Sequence, residues 1–189
     1  MRLQQKYTKT IVPAMKEKFG YKSVMAVPKI DKVIVNVGFG SMVTGKGAGE
    51  RGKIEAMISE KIAAMTGQQP VLIKAKKSVA TFKLREGMPI GAKVSLRGGR
   101  AYQFLEKVVY LVLPRMRDFR GLPLKSITKQ GDLTIGFKEY TPFPEVKVER
   151  EKGLFGLEVT VVTTAKNKEE GEELFRLIGF PLQKEQKKE

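Results

Sequence analysis

Apolar side chains recur every fourth residue at Leu3, Tyr7, Ile11, Met15 and Phe19, which predicts a helix closed by Gly20. Pro13 falls inside it and predicts a kink or a later start. From Lys29 to Val37 the period changes to two. Val33, Val35 and Val37 share one side of a strand, and Lys32, Ile34 and Asn36 the other. A glycine-rich connection over 38–52 follows. Ile54, Met57, Ile58, Ile62 and Met65 then mark an amphipathic helix that stops at Gly67. Val71–Lys74 reads as a short strand. Gly91–Arg97 reads as another, with Ala92, Val94 and Leu96 on one side and Lys93, Ser95 and Arg97 on the other.

Phe104, Leu105, Val108, Val109, Leu111 and Val112 form a broad apolar band on a helix over 101–117, kinked near its end by Pro114. Leu133–Lys138 and Leu157–Thr164 are expected strands. Asn167 and Glu170 form a capping-box pattern ahead of a last short helix that ends at Gly179 and Pro181. Strands that arrive in consecutive pairs favour an antiparallel sheet, so the expected class is α+β, with helices packed on one face. The opposite face would carry Lys32, Asn36, Lys93, Ser95, Arg97, Thr134 and Lys138. No internal repeat or linker divides the pattern. One domain is expected over 1–181, followed by a charged tail at 182–189.

Charge changes the picture. The chain of 189 residues holds 36 Lys and Arg against 20 Asp and Glu. The excess is concentrated in residues 1–100, with 20 basic and 6 acidic side chains, against 16 and 14 in the remainder. Lys74–Arg100 alone carries eight basic residues and a single acid, Glu86. Such clustering points to one basic surface and a polyanionic partner, nucleic acid ahead of an anionic membrane. The basic face lacks the row of aromatics on which single-strand readers stack bases, which favours a structured RNA gripped through backbone and shape.

The chain has no Cys and no His. Thiolate and imidazole metal sites, thiol nucleophiles and His general-base chemistry are thereby excluded. No cofactor is expected. The longest apolar run, Val108–Leu113, falls far short of the ~20 residues of a membrane-spanning helix. The first residues lack the apolar core of a signal peptide, so a cytoplasmic protein is expected.

Two nucleotide motifs tempt. Gly40–Lys46 fits the start of a phosphate-binding loop, but Gly47 stands where a magnesium-holding hydroxyl is needed. Gly47–Gly52 fits a dinucleotide fingerprint, but no ribose-binding acid lies ~20 residues on. Glu169/Glu170 and Glu172/Glu173 sit at a helix start, where acids favour the dipole rather than catalysis. Lys77–Ser78 lies in an exposed basic loop, not a water-excluded pocket. Arg115, Arg117, Asp118 and Arg120 suit either a helix end or a partner contact. Phe143, between Pro142 and Pro144, suits either the core or a partner surface.

The segments VPKIDKVIVNVGFG (27–40), TGQQPVLIKAKKSVATFKLREGMPIGAKVSLRG (66–98), LPRMRDFRGL (113–122), FPEV (143–146), VTVVTTA (159–165) and LFRLIGFP (174–181) together resemble the bacterial large-subunit ribosomal protein five family. The resemblance implies an α+β fold with an antiparallel sheet. It implies 5S rRNA binding through Lys32, Asn36, Gln69, Lys93, Ser95 and Arg97. It further implies contact with 23S rRNA and other 5S-binding ribosomal proteins, and a loop of Lys74, Lys76, Lys77 and Ser78 against peptidyl-site tRNA. Small-subunit ribosomal protein thirteen would lie near Arg115, Arg117, Arg120 and Phe143. No membrane partner is implied. The chain departs from the family pattern in its long 38–52 segment and in lacking an Asp-Gly-Arg-Gly run before 133. Ser95 also stands where Thr is common.

Overall fold

A computed structural model describes residues 2–117, 119–146 and 153–183. The strands β1 (Ile30–Gly38), β2 (Val71–Lys74), β3 (Pro89–Arg97), β4 (Leu133–Phe137) and β5 (Leu157–Thr163) form a five-stranded antiparallel sheet in the order β2-β3-β1-β5-β4. Helices complete an α+β fold: α1 (Leu3–Lys6), α2 (Val12–Phe19), α3 (Gly40–Val43), α4 (Ala48–Thr66), α5 (Gly99–Lys107) and α6 (Lys168–Ile178). The chain groups into two compact units, one of residues 1–33, 96–135 and 160–189, the other of 34–95 and 136–159. Strands β1, β3, β4 and β5 each contribute residues to both.

The strand alternation read from the sequence is the alternation of burial. Val33, Val35 and Val37 are buried in β1, and Ala92, Val94 and Leu96 in β3. Leu157, Val159 and Val161 do the same in β5.

In the first unit, the N-terminal helix continues through Pro13 by changing its winding. Tyr7–Ile11 is a π turn, and the Val12 N–H reaches back five residues to Tyr7 O. The wider turn comes just before Pro13, whose ring lacks an N–H for the regular ladder. Tyr7 Oη donates to Pro28 O at 3.0 Å, which anchors this helix to the approach of β1. Burial, with Tyr102 close by, pushes the Tyr7 phenol up to about 12, so it remains a donor at neutral pH. The long helix after β3 behaves likewise: α5 passes into a π turn at Val108–Val112 and ends in a tight turn at Leu113–Arg115 containing Pro114.

The turn before β4 is locked against the start of α6. Thr163 N donates to Asp132 Oδ1 at 2.8 Å, and Thr163 Oγ1 donates to Gly131 O at 2.9 Å. A Cβ placed on Gly171 would lie 2.5 Å from Gly131 Cα and 2.6 Å from Gly131 O. Only two glycines allow the backbones to meet this closely. The expected capping box is displaced: Asn167 caps nothing with its side chain, while Glu170 Oε2 accepts from Lys166 N at 2.9 Å. Two further acids of α6 make ion pairs, Glu172 with Arg176 at 2.8 Å and Glu173 with Lys18 at 2.6 Å.

In the second unit, the segment expected as a loop over 38–52 is largely helical. Gly40–Val43 is a single helical turn, with Thr44 Oγ1 donating to Gly40 O at 2.6 Å. Helix α4 begins at Ala48, six residues before its first apolar position, with Gly47 as N-cap. Glu50 in its first turn complements the positive helix end. Gly49 and Gly52 are thus helix positions rather than parts of a phosphate cradle.

Helix α4 buries Ile58, Lys61, Ile62 and Met65, a spacing of three and four residues that carries Lys61 inside with its apolar neighbours. The Lys61 ammonium donates to Tyr140 Oη at 2.6 Å and lies 4.4 Å from the centre of that ring. Tyr140 is fully buried and stacks on Phe155 at 4.6 Å. Tyr140→Phe should therefore cost about 1–3 kcal/mol, because the buried ammonium loses its oxygen acceptor. Adding Lys61→Met should recover much of that loss, because charge and hydroxyl then leave together. Urea denaturation of both single variants and the double variant measures the coupling; additive losses would show the bond contributes nothing.

Candidate nucleic-acid interface

Strand β3 presents its polar residues as a row. Lys93 and Arg97 are exposed and Ser95 half-buried, while their neighbours are buried. On β1, Lys32, Ile34 and Asn36 are the half-buried positions between buried valines. Sheet order makes β1 and β3 neighbours, and Phe39 N donating to Ile90 O at 2.9 Å ties their ends within the second unit. In that unit Lys93 lies opposite Val71 of β2, and Gln69 is exposed just before β2. Gln68 Nε2 reaches Ser95 O at 3.5 Å, a long contact that holds the segment carrying Gln69 beside β3.

Two details escape the sequence pattern. Lys32 Nζ lies 3.7 Å from Asp31 Oδ2, so part of its charge is answered locally. Val71 and Ile73 are exposed on β2, next to the basic positions of β3. Along β5 the corresponding outward positions are Glu158, Thr160 and Val162, and along β4 they are Thr134 and Gly136. Cations are therefore concentrated on β1, β3 and the end of β2, where Lys74 is exposed, not spread across every strand. Lys138 is exposed just past the end of β4.

The basic loop between β2 and β3 is an ordered hairpin. Ala75 N donates to Met88 O at 2.8 Å and Gly87 N to Ala75 O at 3.0 Å. Higher up, Val79 and Leu84 exchange reciprocal bonds of 3.1 Å. Ser78 Oγ accepts from Glu86 N at 2.9 Å, so this hydroxyl braces the hairpin while its proton stays free to donate. Lys74, Lys76 and Lys77 are all exposed.

In the first unit, Arg115, Arg117 and Arg120 are exposed where the helix after β3 ends. Asp118, read as a local counterion, lies outside the described residues, as does the tail over 184–189. Phe143 is a correction. It is 1% exposed and packs edge-on against Phe137 at 5.6 Å, so it belongs to the core and offers no surface to a partner. Among the described residues no group of His, Cys, Asp and Glu is arranged to hold a metal ion, and no helix is long and apolar enough to cross a membrane.

Residues 23–85 match the family model for ribosomal protein L5, and residues 89–182 match the model for the C-terminus of the same ribosomal family. The chain belongs to the ribosomal protein L5 family. It is similar to the large ribosomal subunit protein uL5 of Halothermothrix orenii, 47% identical over 95% of this chain and 97% of that protein. The proteins of the same name from Streptococcus thermophilus (47% identical, 97% of this chain, 98% of the relative) and Dictyoglomus thermophilum (48%, 96% and 98%) match equally broadly. Membership of a ribosomal-protein family makes the chain a structural component of the ribosome rather than an enzyme.

Proposed function

We propose that this component of the cytoplasmic large ribosomal subunit binds 5S rRNA through the outward residues of β1 and β3 and helps attach that RNA to the 23S rRNA body of the particle. The row Lys93, Ser95 and Arg97 on β3 is the observation that carries the proposal. Two exposed cations at a two-residue spacing can each meet a phosphate, and Ser95 between them can bond to a ribose hydroxyl. Asn36 and Gln69 add amide groups able to read sugar or base edges, and Lys32 adds a weaker cation. A rigid strand holds these groups in fixed register, which suits an RNA that arrives already folded.

The exposed cations of Lys74, Lys76 and Lys77, with Ser78, form a second contact, to peptidyl-site tRNA. That site must accept every tRNA, so phosphate contacts without base discrimination suit it. Arg115, Arg117 and Arg120 form the surface for small-subunit ribosomal protein thirteen, and other 5S-binding ribosomal proteins complete the assembly. The residues 1–181 act as one RNA-binding domain, supported by the four strands that each supply residues to both compact units.

A tagged copy recovered from lysed cells should carry RNA of 5S size. Recovery without RNA, or with a random spread of sizes, would remove the basis for the 5S assignment. A nucleotide-binding role has no support from α3 and α4, whose glycines lie in helical turns.

A further inference from the structure

The hairpin between β2 and β3 exposes two apolar side chains that its charge does not explain, Val79 at 38% and, far more fully, Phe82. Phe82 is 64% exposed, although it is a large apolar residue in a segment with well-formed hydrogen bonds. Its position follows from the backbone. Ala80–Phe82 is a tight turn, and Lys83 reverses the chain at φ 49, a left-handed conformation that a lysine adopts at some cost. Lys83 N donates back to Ala80 O at 2.9 Å, and the Val79–Leu84 bonds close the turn beneath it. Ala75 and Met88 are buried at the hairpin's base. The tip is thus clasped by its own main chain, and the aromatic ring is displayed rather than loosely placed.

Its surroundings select the partner. Lys76, Lys77, Lys83 and Arg85 are exposed along the same hairpin, with Glu86 as its only acid. An apolar pocket on a protein would be met more favourably by a tip with fewer desolvated cations. A nucleic acid offers both phosphates for the cations and flat bases for the ring.

We propose that Phe82 stacks on the open face of a nucleobase in the RNA that this hairpin grips. The inference rests on the tRNA contact proposed for Lys74–Ser78 and adds to it a specific interaction. Every base has a π-face, so such a stack is tolerant of sequence. It also fixes where along the RNA the hairpin tip comes to rest, which mobile lysines cannot do.

Ribosomes assembled with the full chain carrying Phe82→Leu, Phe82→Trp, Phe82→Ala or Lys76→Ala/Lys77→Ala provide the test, with the dissociation rate of deacylated tRNA from the peptidyl site as readout. Phe82 lies outside the core, so 5S rRNA binding of each variant should match the parent and confirm folding. Phe82→Leu keeps apolar bulk without a π-face and should raise the rate about five-fold or more. Phe82→Trp, a larger stacking surface, should hold the tRNA at least as long as the parent chain. If the lysine pair raises the rate while Phe82→Leu matches the parent, the stacking inference fails and the loop contact stands. If none of the variants changes the rate, both fail. If Leu holds tRNA as well as Phe and Phe82→Ala alone releases it, the ring fills an apolar pocket and no base is stacked.

Discussion

Affinity for 5S rRNA should fall about a thousand-fold between roughly 50 and 200 mM monovalent salt, a log–log slope of roughly −4 to −6 if ~5–7 phosphates are neutralised. The expectation follows from how the cations are held. Lys93 and Arg97 are exposed on β3, and the residue opposite Lys93 on β2 is the uncharged Val71. Lys93→Ala/Arg97→Ala should flatten the slope by about two and weaken binding by about fifty-fold near 0.1 M salt. Lys32→Ala should cost less than either, because Asp31 at 3.7 Å already answers part of that charge. Ser95→Ala removes a hydroxyl and no charge, so it should leave the slope unchanged while lowering affinity at every salt concentration. Filter binding across a salt series separates these cases. A slope near zero, or a double variant that binds like the parent, would rule out phosphate contact by this face.

Gly171→Ala should lower thermal stability by about 2 kcal/mol, or about 5 °C, in spite of improving the intrinsic helix propensity of α6 by up to ~1 kcal/mol. A new methyl would stand 2.5 Å from Gly131 Cα and 2.9 Å from Gly131 C, and both are main-chain atoms that cannot rotate away. Gly131 itself sits at φ +83 and is tied to Thr163, so the turn has little room to retreat. Gly52→Ala is the matched control. Gly52 lies within α4 with nothing within 4 Å of a new Cβ, so the same exchange there should stabilise by about 0.5–1 kcal/mol. Differential scanning calorimetry should show the two midpoints moving in opposite directions. If both rise, the approach of Gly131 to α6 is not as tight as described.

Strand positions were legible because alternation alone fixes them: Val33, Val35 and Val37 could face only one way together, and so could Ala92, Val94 and Leu96. The cationic row on β3 follows from the same rule. The start of α4 was not legible. Glycine is a poor helix former, and Gly49 and Gly52 masked two turns that tertiary context and Glu50 stabilise. Phe143 could not be placed from sequence, since a ring between prolines suits core and surface equally until its neighbours are known. Phe82 drew no reading from the sequence: a lone aromatic in a basic loop carries no periodic signal, and its exposure is seen only in the fold. The single usable clue was its place at the centre of the cationic segment.

Strand β2 stands at the margin of the sheet, paired on one side only, with Val71 and Ile73 uncovered. Such a margin can recruit a second polypeptide through its unpaired amides. Its four-residue length, the break in register between Ile73 and Lys74, and Pro70 directly ahead all work against that outcome. Copies of the chain outside the ribosome should thereby resist polymerising edge to edge, and an engineered extension of β2 should raise their tendency to precipitate.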